Sequence, residues 1–482
     1  MKNLLVLLPI LFPFIMALLI PLVKFKTKKK RNILVSSSVI LNLLLIFLIL
    51  YIDGPMKVHL FKLNNFIDIF FKIDKMGILF SILASTLWIF TTFYSMEYME
   101  HEGNEKRFFA FFILTLGITV SIAYAGNLFT LYIFYELLTL ATFPLVIHKG
   151  SKEALYSGKK YLIYSLGGAT LVLFGMILLF SINNDLSFVA KGIISPVASE
   201  NGRLLMIYLA LFIGFGVKAA IIPFHSWLPA AMVAPTPVSS LLHAVAVVKS
   251  GIFALIRVSY FIFGVDIIER INGNLYVSVL VVITILLGSL LALHQENLKK
   301  RLAYSTVSQL GYILLGLVML NENAFTGGIL HLINHAVIKI TLFFCAGAIY
   351  IKTGKKNISD IKGIGRKMPT TMVCFGIASI SLIGIPPTNG FVSKWYLALG
   401  GLGANKILFP IILLVSALLT AGYLIPIIVT AFFPGEGQKQ KRDEAPLKML
   451  VPIVILTSIV VILGLFPNPI LHFIEGIAAK LI

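Results

Sequence analysis

The chain has 482 residues, 58% of them hydrophobic and 12% charged, and apolar runs of about 20 residues recur along nearly its whole length, the pattern of a polytopic helical membrane protein. These runs are long and continuously apolar, which excludes a β-barrel, and the longest polar connections, about twenty residues, are too short to bury a separate soluble core. A net charge of +20 raises nucleic acid as a partner, but the charge is sorted by connection, as membrane topology requires.

Fourteen spans are predicted, near residues 3–23, 32–52, 76–96, 108–125, 128–147, 161–181, 204–232, 238–264, 276–293, 302–319, 324–350, 369–399, 406–433 and 449–466. The first run has only Lys2 before it and lacks a small-residue cleavage site, so it reads as a span and not as a signal peptide. Connections after odd-numbered spans hold 25 Lys/Arg, and the opposite side, termini included, holds 10. By the positive-inside rule the odd connections face the cytoplasm and both termini face outward, in an inner (plasma) membrane. The basic balance thus reports topology and contact with anionic lipid, and no nucleic acid is expected as a partner.

Five cations remain inside spans: Lys218, Lys249, Arg257, Lys339 and Lys394. Glu136, in LYIFYELLTLATF, is the one acid deep in an apolar run. A charge at the bilayer centre costs roughly 2.5 to 3.5 kcal/mol, so each group must face protein or a hydrated cavity. One acid cannot neutralise five cations, so some lysines are expected to exchange their proton in place. Glu136 reads as a charge partner of a neighbouring lysine; the alternative is a helix–helix hydrogen bond.

The seventh span carries Lys218 and His225 among prolines 223, 229, 235 and 237, which break the helical ladder and predict a discontinuous helix lining a cavity. His243 and Lys249 follow, six residues apart and therefore on different faces of a continuous helix. His225 and His243 are accessory candidates. Arg257, near a span end, reads as a snorkelling anchor or a structural cation. In NLKKRLAYSTVSQLGY, a cytoplasmic stop explains Lys299, Lys300 and Arg301. HLINHAVIK places His331, His335 and Lys339 one turn apart on one face. In SLIGIPPTNGFVSKW, Gly384, Pro386, Pro387 and Gly390 predict a second broken span ahead of Lys394. Two broken spans, each with a lysine and five spans apart, are the pattern of an inverted-repeat transporter. Cys345 and Cys374 lack metal-binding spacing, and neither a dinucleotide fingerprint nor a phosphate loop occurs, so no cofactor is expected in this chain.

FYELLTLATFPLV, PFHSWLPAAMVAPTPVSSLLHA, KKRLAYSTVSQLGY, HLINHAVIK and GIPPTNGFVSKW together resemble, in order, the motifs of antiporter-like subunits of respiratory complex I, membrane-bound hydrogenases and Mrp-type cation/proton antiporters. The resemblance implies one membrane domain over 1–482, with N-terminal helices 1–3 in 1–107, inverted five-helix repeats in 108–264 and 276–433, and a last helix in 449–482. It implies proton translocation through Glu136, Lys218, Lys249, His331, His335, Lys339 and Lys394. Lys394, where one class of complex I subunit has glutamate, together with Lys249 and the lack of a long lateral helix, makes the chain most similar to the Mrp D subunit type and its hydrogenase or sulfur-reductase counterpart. Other hydrophobic subunits, H+ and Na+ are the implied partners. Ala230 stands where the family usually has an acid after WLP, so a route through that carboxylate is not expected. The competing expectations are a complex I proton-channel subunit, a non-transporting scaffold subunit, and a self-contained solute carrier.

Overall fold

The computed structural model describes residues 2–51, 56–62, 68–195, 200–433 and 441–482. After a short 3-10 turn, the first half runs α1 (Leu8–Leu22), α2 (Lys28–Leu50), α3 (Lys75–Glu102), α4 (Glu105–Tyr124), α5 (Leu128–Val146), α6 (Lys152–Phe180), α7 (Asn201–Lys218), α8 (Trp227–Ala230), α9 (Thr236–Ala244) and α10 (Val247–Ile256). A π-helical turn, Arg257–Phe263, leads to α11 (Val265–Arg270) and α12 (Gly273–Leu293). Then follow α13 (Leu298–Val318), α14 (Glu322–Thr353), α15 (Ile364–Lys367), α16 (Pro369–Ile383), α17 (Asn389–Gly403), α18 (Leu408–Phe432), α19 (Leu447–Leu465) and α20 (Asn468–Leu481). Twelve helical segments among the described residues are long and apolar enough to cross a membrane.

Burial sorts these segments in a way hydropathy does not. The most apolar stretches of α14 and of Thr236–Phe263 are buried along their whole length, whereas those of α1, α2, α6, α12, α18 and α19 are buried over only 33–39%. Lipid tails are as apolar as leucine, so helices sort by close packing and polar contacts, not by avoidance of water. The two innermost segments are the ones that carry Lys249 and the His331, His335, Lys339 row.

Both predicted interruptions occur. The first helix stops at Lys218, and Ala220 turns the chain with a φ of 55°. The freed Ile222 amide donates to Thr284 Oγ1 at 3.1 Å, and the Val217 carbonyl accepts from Trp227 Nε1 at 2.9 Å. These bonds replace the lost ladder, as a break away from water requires. A Cβ at Gly251 would sit 2.6 Å from the Ala219 nitrogen, so only glycine lets α10 close on the break. The second interruption separates α16 from α17, where Gly384 takes a φ of 95° and caps α16 through Ile380 O.

Three features depart from the sequence reading. The eighth span breaks between His243 and Lys249, where the Val245 and Ala246 amides both return to Leu241 O at 3.0 and 2.8 Å. The connection after α2 holds two antiparallel strands, β1 (Lys57–Lys62) and β2 (Asp68–Lys72), pairing Lys57 with Lys72 and Lys62 with Asp68, so the all-helical expectation is corrected there. Burial of Phe70 and Phe71 against the start of α5 holds this pair. Arg257 does not snorkel: it is fully buried, bonding Asp74 Oδ2 at 2.5 Å and Oδ1 at 2.9 Å beneath the rings of Phe253 and Phe261. Asp74, at the N-cap of α3, is thus a second acid answering an internal cation.

Cross-links separate the two ends of the bundle. Lys28–Glu100, Lys149–Glu102, Lys448–Glu97 and Lys352–Asp443 tie together the connections after α1, α5, α18 and α14. At the opposite end Asn127 bridges Ser187, and Lys191 donates to the Ile482 carbonyl at 3.2 Å. The lysine-rich connections therefore share one end.

Asp74→Ala should lower the stability of the purified protein by about 3 kcal/mol, because Arg257 is left buried without its counter-ion. Asp74→Ala/Arg257→Met should recover much of that loss. Thermal unfolding in detergent reads both, and equal losses in the two variants would show that the ion pair is not the cause.

Candidate functional site

Lys218 is the last residue of α7, and its ammonium reaches across to α5. It donates to Glu136 Oε1 at 3.2 Å and to the Tyr135 carbonyl, and it sits 3.3 Å from the centroid of the Tyr135 ring. Lys218 is buried, whereas the Glu136 side chain keeps 20% exposure at the edge of the bundle.

Past the break in the eighth span, Lys249 Nζ lies 2.9 Å from His335 Nδ1, both fully buried. His335 shares a face of α14 with His331 and Lys339, but the three do not bond to one another. The His331 and His335 ring centroids are 6.0 Å apart. His331 places Nδ1 2.9 Å from Ser393 Oγ and Nε2 3.0 Å from Gln309 Oε1, with its ring stacked on Tyr312. Lys339 donates to Leu302 O at 3.0 Å and to Ser305 Oγ. Each member of the row thus has its own partners: His331 on α17 and α13, His335 on α10, and Lys339 on α13.

Lys394 turns back from α17 to the end of α16, donating to Leu382 O and Ile383 O at 2.8 Å and facing the Tyr312 ring at 4.9 Å. An amide clasp holds that break against α14. Asn334 donates to Asn389 O at 2.7 Å, Asn389 donates to Asn334 Oδ1 at 3.1 Å, and Ser381 donates to Asn389 Oδ1 at 2.7 Å.

The structure therefore brings Glu136 and Lys218 together, and Lys249 and His335 together. His331 and Lys394 both face the Tyr312 ring of α13, and Lys339 reaches Ser305 on the same helix. His243 is fully buried near Lys339 and Lys299, with neither ring nitrogen hydrogen-bonded to protein. His225 lies apart, partly exposed beside Tyr304. Sequence reasoning missed Tyr135, Ser305, Gln309, Tyr312, Ser393 and the Asn334–Asn389 clasp. The signal was present in STVSQLGY, where a serine and a glutamine one turn apart inside a span need buried partners.

Fold and site together define a class: polytopic membrane proteins with interrupted helices and a file of ionisable groups through the bundle. Residues 125–420 match the family described as NADH:quinone oxidoreductase/Mrp antiporter, TM, and residues 61–109 match the N-terminus of complex I chain 5. NADH-quinone oxidoreductase subunit N of Desulforudis audaxviator is 35% identical over 413 residues, covering 81% of this chain and 82% of that relative. Na(+)/H(+) antiporter subunit A1 of Staphylococcus aureus is 33% identical over 426 residues, 82% of this chain but only 52% of that longer relative. A chain of the Mrp complex from Dietzia sp. DQ12-45-1b has the same fold, with a TM-score of 0.89 at 21% identity, covering 100% of this chain and 97% of that one. An archaeal membrane-bound sulfane sulfur reductase contains another, with a TM-score of 0.86 at 21% identity and the same coverage. The chain belongs to the NADH:quinone oxidoreductase/Mrp antiporter family, as an antiporter-like subunit of a multisubunit membrane complex.

The amide clasp carries a stability prediction. Asn389→Ala strands Asn334 and Ser381 in a dry interior and should cost about 1–3 kcal/mol. Detergent unfolding would register this as a lowered midpoint, and an unchanged midpoint would mean the clasp is not holding α17.

Proposed function

We propose that this chain carries protons across the plasma membrane through Glu136, Lys218, Lys249, His335, His331, Lys339 and Lys394, within an Mrp-type Na+/H+ antiporter or the related module of a hydrogenase or sulfur reductase. The observation that carries the reading is the spacing of partners: every one of these lysines touches a group that can accept a hydrogen bond, and none is locked to a carboxylate on both sides. Glu136 at 3.2 Å stabilises the Lys218 ammonium, and opening that pair removes the stabilisation. A proton can then move toward Lys249, which shares its hydrogen bond with an imidazole that can donate or accept. His331 and Lys339 continue the path to Lys394 at the second break. His243 is an accessory member, and His225 lies off this line. Sodium is carried elsewhere in the complex or beside this path, and the chain itself needs no cofactor.

A second reading has a specific observation behind it. The 35% identity to a subunit N supports a proton-channel subunit of a complex I type dehydrogenase, whereas the lysine at 394 supports the Mrp D type. Co-purified flavin or iron–sulfur subunits would favour the dehydrogenase, and small hydrophobic subunits alone the antiporter.

The architecture that accompanies this function has fourteen crossings. Polar α13 and the α16–α17 pair join the twelve apolar segments, and α4–α10 and α12–α18 form inverted repeats within one domain. A lysine at each helix break, Lys218 before the first and Lys394 after the second, supports the repeats. The lysine-rich end faces the cytoplasm and its anionic lipids, and both termini face outward. Single cysteines replacing Lys29 and Lys191 should label from opposite sides of sealed vesicles, the first from the cytoplasmic side. Labelling of both from one side overturns this topology.

Two substitutions test the path. Glu136→Gln should abolish most proton transport while the complex still assembles, and normal transport removes the pair from the mechanism. Lys339→Arg should be nearly as damaging as Lys339→Ala, since a guanidinium keeps the charge but never gives up its proton. Proton transport in vesicles, normalised to complex content, decides the matter; near-normal activity of the arginine variant would make Lys339 a structural cation.

A further inference from the structure

Lys394 differs from Lys218 in having no carboxylate beside it among the described residues. An ammonium carries three hydrogens and no acceptor. Two of those on Lys394 go to Leu382 O and Ile383 O at 2.8 Å, which leaves one without an oxygen. In its place stands the ring of Tyr312, with its centroid 4.9 Å from Nζ. Lys218 has the same kind of cradle: two oxygens, from Tyr135 and Glu136, and the Tyr135 ring at 3.3 Å. Tyr135 and Tyr312 sit on α5 and α13, the second helix of each proposed repeat.

Both partners of the Lys394 contact are held in place. Tyr312 is fully buried, its hydroxyl donates to Leu413 O of α18 at 3.2 Å, and its ring stacks on His331 with centroids 5.4 Å apart. The Lys394 stem turns back over Gly384, where an added Cβ would lie 2.7 Å from Cδ, so only glycine leaves room for it. Of the helices packed against α17, α14 presents His331, whose nitrogens lie against Ser393 and Gln309. The ionisable groups of α16, α18 and α19 are Cys374, Tyr423 and Lys448, and none of them bonds Lys394. Besides Lys394, α17 carries only Tyr396, two residues away and therefore on another face.

We propose that Tyr312 is a positioning residue for the end of the path, its ring face completing the solvation of the Lys394 ammonium at the second break. The proposal rests on the proton-path reading of Lys394. A π face attracts a cation through its quadrupole, yet it offers no site that takes up the proton. A buried carboxylate in this place would hold the cation and compete for its proton. The ring instead stabilises the charged lysine and leaves it free to discharge.

Tyr312→Leu removes the face and favours the neutral amine, so the alkaline fall in proton transport should move down by about one pH unit. Tyr312→Phe keeps the face, loses only the hydroxyl, and should return the midpoint of that fall to its wild-type position. Transport in vesicles against pH, normalised to complex content, reads both. A merely structural role for the ring would lower transport by the same factor at every pH. Should Tyr312→Leu fail to assemble, Tyr312→Met, with its adaptable unbranched side chain, carries the same expectation. An unshifted fall in the assembled leucine or methionine variant, or an equal shift in Tyr312→Phe, would overturn the assignment. If Lys394→Ala is inactive while Tyr312→Leu is unshifted, only this inference fails; if Lys394→Ala transports normally, the path reading fails with it.

Discussion

An ammonium buried in a membrane bundle has to be solvated by protein, and the rest of this fold is arranged around that need. Lys218 takes the Tyr135 carbonyl, Lys339 the Leu302 carbonyl and Lys394 the carbonyls of Leu382 and Ile383. Carbonyls at the end of a helix are free because no amide follows to bond them. Interrupting α16 ahead of Lys394 therefore creates the acceptors that Lys394 uses. At the other interruption the lysine is itself the last residue of α7 and turns to the Tyr135 carbonyl of α5. A carbonyl solvates a cation without fixing it, whereas a carboxylate pair inside the bundle would hold the charge in place.

Arg257 shows the contrast. It is as buried as the lysines, yet it makes two short bonds to Asp74 and lies under aromatic rings. A guanidinium never releases its proton in a protein, so a full counter-ion suits it. The bundle thus holds two kinds of internal cation, one fixed by an acid at the start of α3 and a set lodged against carbonyls, hydroxyls and imidazoles. Among the described residues only Glu136 crosses between the kinds, and it sits at the edge of the bundle, where its partially exposed carboxylate can separate from Lys218 at less cost than a buried one.

The interior file gains its order from the helices that meet α14. His331, His335 and Lys339 are equivalent by helical spacing, but α17, α10 and α13 each contribute a different partner. The break in the eighth span matters here. It separates His243 from Lys249 and leaves Lys249 facing His335, a pairing that a continuous helix would not foretell from six-residue spacing.

Much of this was legible in the amino-acid sequence, because the signals are local. Long apolar runs fix a helical membrane protein, proline and glycine clusters fix the breaks after Lys218 and Ile383, and lone charges in apolar runs mark the groups that need partners. The motif set also fixes the family, which the comparisons bear out. What the sequence could not decide is who meets whom. The hairpin of Lys57–Lys72 lies between spans whose hydropathy says nothing of strands, and Asp74 looks like an ordinary helix cap until Arg257 arrives from 183 residues away. Gln309 and Ser393, which flank His331, come from two helices far apart in the chain, and neither one's sequence surroundings name the other. Hydropathy and spacing report how a residue relates to its own helix. Partner choice depends on which helices pack side by side, and in a bilayer that is set by close packing and buried hydrogen bonds between segments, which only the tertiary structure contains.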